Sequence, residues 1–165
     1  MRFAKGEDVV HPGLGVCEVF DVDEAADGMY KLLPVGRRNP VTISFPKVSE
    51  NRLRPILERD EALALIEGYD ELEVDTYTDR SGVLEEEHFK AQMRVGTCED
   101  TVRIAKTFRS RIAAAKANNK KPPVAYERIL KEASERSLLE LAVALDATTD
   151  DVASMFAAAD SSESR

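Results

Sequence analysis

The chain has 165 residues, of which 43% are hydrophobic and 33% charged, and a formal net charge of −8. That length holds one domain or two small ones, the composition is that of a folded chain, and no apolar run approaches the ~18 residues of a membrane span. Two cysteines (Cys17, Cys98) and two histidines are too few for a disulfide framework or a four-ligand zinc site, and residues 1–8 lack the apolar core of a secretory signal. The expectation is a cytoplasmic protein without metal or cofactor.

Residues 1–57 read as β structure. The runs 16–22, 30–35 and 41–46 are short and rich in β-branched and aromatic residues. Turn residues separate them: Pro12-Gly13, Gly15, Asp27-Gly28, Gly36 and Asn39-Pro40. Several short strands at this spacing predict a small barrel. Pro34 and Pro46 belong at strand ends or on an edge, because proline cannot donate to a ladder.

The period then changes. Ala62, Leu65 and Ile66 fit one helical face, stopped at Gly68. Residues 69–83 are acidic and weakly patterned, and read as a linker or a poorly packed insertion. A stripe of Phe89, Met93 and Val95 predicts a helix ending at Gly96. Thr97, with Asp100 three residues on, predicts an N-cap. The face Val102, Ala105, Phe108, Ile112 and Ala115 follows, ended by Asn118-Asn119. Pro122-Pro123 opens the next helix, where proline is tolerated. Its apolar face runs from Tyr126 to Leu145. Thr148-Thr149-Asp150-Asp151 caps a last helix with Val152, Met155 and Phe156. Residues 159–165 read as a frayed tail. The expected organisation is α+β in two small domains: a β-barrel over 1–57, an acidic helix and linker over 58–83, and a helical bundle over 84–158.

Charge is unevenly spread. Residues 1–57 hold eight basic and eight acidic side chains, 58–88 hold two and twelve, 89–136 hold twelve and five, and 137–165 hold one and six. The 89–136 block, net +7, is basic enough for a local positive field despite the acidic whole. Surface solvation is the plainer explanation of such charges.

No enzyme motif appears. Pro12-Gly13-Leu14-Gly15 lacks the lysine and the following helix of a phosphate loop. Cys98 lies at a helix N-terminus without a partner motif. Glu85-Glu86-Glu87-His88 lacks a second histidine four residues on, so it reads as a solvated helix start rather than a metal motif.

One constellation is more specific. Phe3-x-x-Gly6-x-x-Val9-Val10-His11-Pro12-x-x-Gly15-Val16 opens the chain, followed by Tyr30-x-Leu32 and Ile43-x-Phe45-Pro46. This resembles the N-terminal RNA-polymerase-interaction module of the CarD/CdnL family of bacterial transcription regulators, shared with transcription-repair coupling factors. His11 stands where that family usually has tyrosine. In the second half, Phe89-Lys90-Ala91, Asp100-x-Val102-x-x-Ala105-Lys106-x-x-Arg109, Glu140-Leu141-Ala142 and Thr149-Asp150-Asp151 resemble the family's helical segments. The likeness covers about 1–57 and 84–157; the acidic 68–83 stretch has no counterpart.

The resemblance implies a Tudor-like (SH3-like) barrel that docks on the polymerase β subunit through a strand edge. It puts the contacts at Thr42, Ile43 and Ser44, with Glu24 in the nearby turn. Ser44 and Glu24 stand where the family often has larger or basic side chains. It implies a helical domain beside promoter DNA, normally wedged by a tryptophan. This chain has no tryptophan. The wedge position falls on Glu85, whose carboxylate at that place would repel phosphate. Backbone contacts are then expected from Lys90, Lys106, Arg109, Lys120, Lys121 and Arg128. The rival expectation is a protein-interaction adapter whose helical domain has lost DNA binding.

Overall fold

The computed structural model describes residues 2–163, with nothing stated of the side chains of 160–163. The chain divides into two compact units, residues 1–56 and 57–165.

The first unit is an antiparallel five-stranded sheet. Its strands are β1 (Asp8–His11), β2 (Gly15–Val22), β3 (Met29–Pro34), β4 (Ile43–Pro46) and β5 (Arg54–Pro55), in the order β4-β3-β2-β1-β5. The first hairpin turns at Gly15, whose φ of 81° suits glycine. The His11 ring caps that turn: its Nδ1 accepts from the N–H groups of Gly13 (3.0 Å) and Leu14 (3.1 Å). Tyr30 pairs with Phe45 and Lys31 with Ser44 across β3 and β4. Pro34 and Pro46 do end their strands. β4 and β5 are the two edges and do not pair with each other, so the sheet stays open and the expected closed barrel is not formed. The physical reason is visible in β5, which offers two residues, one of them a proline, and pairs only with β1.

Phe3, Val9, Cys17, Val19, Tyr30, Leu32, Phe45 and Leu53 make this unit's core. Alternation on β2 buries Cys17 and Val19 and leaves Phe20 half exposed on the outer face, next to a register shift between Val19 and Asp21. Tyr30 reaches out of the core with its hydroxyl, which accepts from Phe3 N–H and donates to Glu50. Burial first, then the Glu50 carboxylate, raises the Tyr30 phenol above its ordinary value, and the phenol's hydrogen bond lowers Glu50.

The second unit is helical: α1 (Arg59–Glu67), α2 (Gly82–Val95), α3 (Cys98–Ala117), α4 (Val124–Leu145) and α5 (Thr149–Glu163). The sequence signals for their ends operate. Gly68 ends α1 and Gly96 ends α2. Thr97 and Asp100 form a reciprocal capping box at α3, and Thr148 and Asp151 exchange the same pair of bonds at α5. The last helix runs on through Glu163, so the frayed tail expected from residue 159 is helical backbone that far; residues 164 and 165 lie outside the described residues.

Helices α3 and α4 form the centre and serve two cores. One joins Ala62 and Ile66 of α1 to Val102, Leu141, Leu145 and Val152. The other joins Phe89 and Met93 of α2 to Ile104, Phe108, Ile129 and Ala133. Phe108 meets Phe89 and Tyr126 edge to face, with centroids 4.9 and 5.0 Å away. Val95, expected on the α2 stripe, is 86% exposed at the helix end. Among the described residues no helix is long and apolar enough to cross a membrane.

Candidate functional site

In the first unit the resemblance directs attention to β4. Its inner side pairs with β3, and no strand among the described residues pairs with its other side. Thr42 precedes the strand and is exposed, as is Ser44 on it; Ile43 is half-buried against the core. Val41 is 74% exposed. Glu24 is exposed in the loop between β2 and β3. That loop is held from within: the buried Lys47 ammonium donates to the carbonyls of Asp23 and Ala25. The turn beside the free edge therefore has a fixed shape.

In the second unit, residues 72–81 are not a loose linker. They form a strap laid along α3 and α2. Lys106 Nζ donates to the carbonyls of Tyr69 (2.7 Å), Asp70 (3.0 Å) and Leu72 (2.7 Å). Thr107 Oγ1 accepts from Asp75 N–H at 2.8 Å. Arg111 donates to the carbonyls of Asp75 and Tyr77. Tyr77 stacks on His88, with centroids 3.6 Å apart and ring planes 17° apart, and meets Phe89 edge-on. Burial, then Asp79, raises the Tyr77 phenol above its ordinary value.

Glu85 explains why the strap stays down. It is buried, at 6% exposure. Its carboxylate accepts from Asp79 N–H (2.9 Å) and pairs with Arg111 (3.3 Å). The Arg111 guanidinium also lies over the rings of Phe89 and Phe108. A carboxylate so engaged does not face outward to repel a phosphate. Of the Glu85–His88 run, expected as a solvated helix start, Glu85 and His88 anchor the strap, Glu86 meets Arg128 and Lys90, and Glu87 is exposed.

The expected DNA contacts divide into four groups. Lys106 is committed to three carbonyls and lies under the strap. Arg128, 58% exposed at its side chain, grips Glu86 with two nitrogens at 3.1 and 3.2 Å, and Lys90 lies 3.8 Å from the same carboxylate. These cations, Arg128 first, hold the Glu86 carboxyl below its usual range. Arg109 donates to two hydroxyls, Tyr69 Oη at 2.9 Å and Ser134 Oγ at 3.3 Å. Lys120 and Lys121 stand exposed between α3 and α4.

The last pair shares one end of the unit with other features. Arg128 meets Glu86, and Arg136 donates to the Met93 carbonyl, so α2 and α4 run parallel. Their N-termini lie together, with the α3–α4 connection beside them. Val83 (67%), Leu84 (52%) and Val124 (63%) are exposed there. Two helix N-termini, two lysines and three apolar side chains thus share that end.

The strap was unreadable as packed structure because its ties are mostly backbone carbonyls, which any sequence supplies. Its visible signal was Leu72 and Tyr77 within an otherwise acidic stretch. Among the described residues no group of three or more His, Cys, Asp or Glu side chains converges on a metal position. No protein-family model matches the chain, and no curated protein matches it.

Proposed function

We propose that this chain is a non-enzymatic, cytoplasmic regulator of bacterial transcription. Its sheet unit, of the Tudor/SH3-like type, docks on the RNA polymerase β subunit, and its helical unit approaches promoter DNA without a tryptophan wedge. The observation that carries the reading is the unpaired edge of β4, with Thr42 and Ser44 exposed along it and the turn bearing Glu24 nearby. An added strand there gains main-chain hydrogen bonds, while the alternating side chains set the choice of partner. The sequence supports the identity of the partner through the Phe3–Pro46 motif.

The DNA half rests on the end of the helical unit where Lys120 and Lys121 stand. Phosphate contacts by lysines and helix N-termini position a protein without reading bases. Arg128 and Lys90 flank that end, their charge partly met by Glu86.

The same geometry favours a second reading for this half, a protein-interaction module. Lys106 and Arg111 serve the strap, and Arg128 and Lys90 already have a carboxylate. What remains for DNA is a narrow patch.

Two measurements separate these readings. Immobilised full-length chain should retain purified β subunit at low salt, and Ser44→Glu should reduce that affinity by about ten-fold or more, since a carboxylate on an edge opposes strand addition. No retention of the wild-type chain would remove the docking half. In gel shifts with fork-junction promoter DNA, the double change Lys120→Glu, Lys121→Glu should weaken binding and reduce the salt slope by about two. An unchanged slope, or no shift with the wild-type chain, selects the adapter reading.

A further inference from the structure

A cleft of about 240 Å³ opens in the helical unit between α3, α4 and α5. Val102 and Ala105 of α3, Leu138 of α4 and Ala153 and Phe156 of α5 give it an apolar wall. Tyr69 and Arg109 supply its polar side. Its size sits just under the roughly 300–1,000 Å³ of typical ligand clefts, which suits one ring or a short chain.

Arg109, exposed on α3, differs from the three arginines of this unit that meet carboxylates. Arg103 pairs with Asp100, Arg111 with Glu85 and Arg128 with Glu86. Among the described residues, Arg109 is held by two neutral hydroxyls, Tyr69 Oη and Ser134 Oγ. Those bonds orient the guanidinium and use two of its five N–H donors. Tyr69 Oη accepts from Arg109 and keeps its own proton to donate. Lys106 Nζ lies 5.0 Å from the Tyr69 ring centroid and adds positive potential on the same side. Tyr69 itself is braced edge-on by Phe156, at 5.2 Å.

We propose that this cleft binds a small carboxylate with an apolar body, an aliphatic chain or a single ring. The carboxylate pairs with Arg109 and accepts from the Tyr69 hydroxyl, and the apolar body lies against Val102, Leu138 and Phe156. A neutral or cationic ligand would forgo the fork geometry of a guanidinium–carboxylate pair. This inference is independent of the proposed transcription role.

The test uses the full chain and two probes of equal shape, octanoate and its neutral amide octanamide. Calorimetric titration should give saturable one-site binding of octanoate, with octanamide weaker by about ten-fold or more. NMR shifts should fall on Val102, Leu138, Ala153 and Phe156. Arg109→Gln should reduce octanoate affinity to that of the amide, while Arg128→Gln should leave it unchanged. Failure of octanoate to saturate by about 10 mM, equal affinity for acid and amide, or shifts clustered elsewhere would each overturn the proposal. The acid–amide comparison is made on the unaltered chain, so it stands even if Arg109→Gln disturbs folding.

Discussion

At the scale of single residues, Arg111 holds the most at stake. Its guanidinium meets the buried Glu85 carboxylate, two strap carbonyls and two aromatic faces at once. Removing one partner of a buried pair leaves an uncompensated charge, which costs more than the pair's net worth. Arg111→Met should therefore cost about 3 kcal/mol in urea unfolding. The double change Arg111→Met, Glu85→Gln should cost less than the single one, because the orphaned charge is gone. An equal or larger loss in the double variant would show that the pair is not the source. The Glu86–Arg128 contact makes a different prediction, one of pH. Arg128 depresses the Glu86 carboxyl, so this contact stabilises the fold above the ordinary glutamate value of about 4.3 and stops doing so as pH falls through the lowered value. The stability difference between the wild-type chain and Arg128→Gln should be present at neutral pH and close under acid. A difference independent of pH would mean that Arg128 acts by packing alone.

At the scale of elements, the strap decides how the basic face of α3 is used. Residues 72–81 carry no regular structure but spend Lys106, Thr107 and Arg111 as hydrogen-bond donors and acceptors. Tyr77 clamps the segment by stacking on His88. Tyr77→Ala should speed proteolytic cleavage within the strap several-fold under native conditions, because cleavage follows the population of the opened segment. Unchanged cleavage would assign the clamp to the arginine alone. The strap also marks where sequence reasoning ends. Helix limits were legible because caps are local: Gly68, Thr97 with Asp100, and Thr148 with Asp151 act on neighbours along the chain. The β2, β3 and β4 strands were legible from alternation and turn residues. Barrel closure was not, because it depends on whether two strands distant in sequence meet, and β5 is too short to show it. Glu85 read as an outward acid from its acidic neighbours. Its inward role needs Arg111, 26 residues away, and no local pattern reports that pairing.

At the scale of the whole molecule, the chain joins two units that differ in what they leave open. The sheet unit has its own core and, at β4, a four-residue edge with backbone groups and small polar side chains to offer. The helical unit has spent much of its basic charge internally and keeps Lys120 and Lys121 at one end. A net charge of −8 opposes tight independent DNA binding at physiological salt, where Lys and Arg contacts to phosphate are already screened. Tethering by the sheet would offset that, since a linked second site sees a high effective concentration. DNA association by the helical unit should therefore be far stronger with the polymerase present than without it, and loss of the sheet edge should remove that gain while leaving the weak independent binding unchanged.

Amide hydrogen exchange of the full chain with and without the polymerase β subunit reads the central claim most directly. Strand addition predicts new protection concentrated in residues 41–46, while amides already bonded within β1 and β2 change little. Protection appearing elsewhere, with residues 41–46 exchanging as fast as in the free chain, would contradict it.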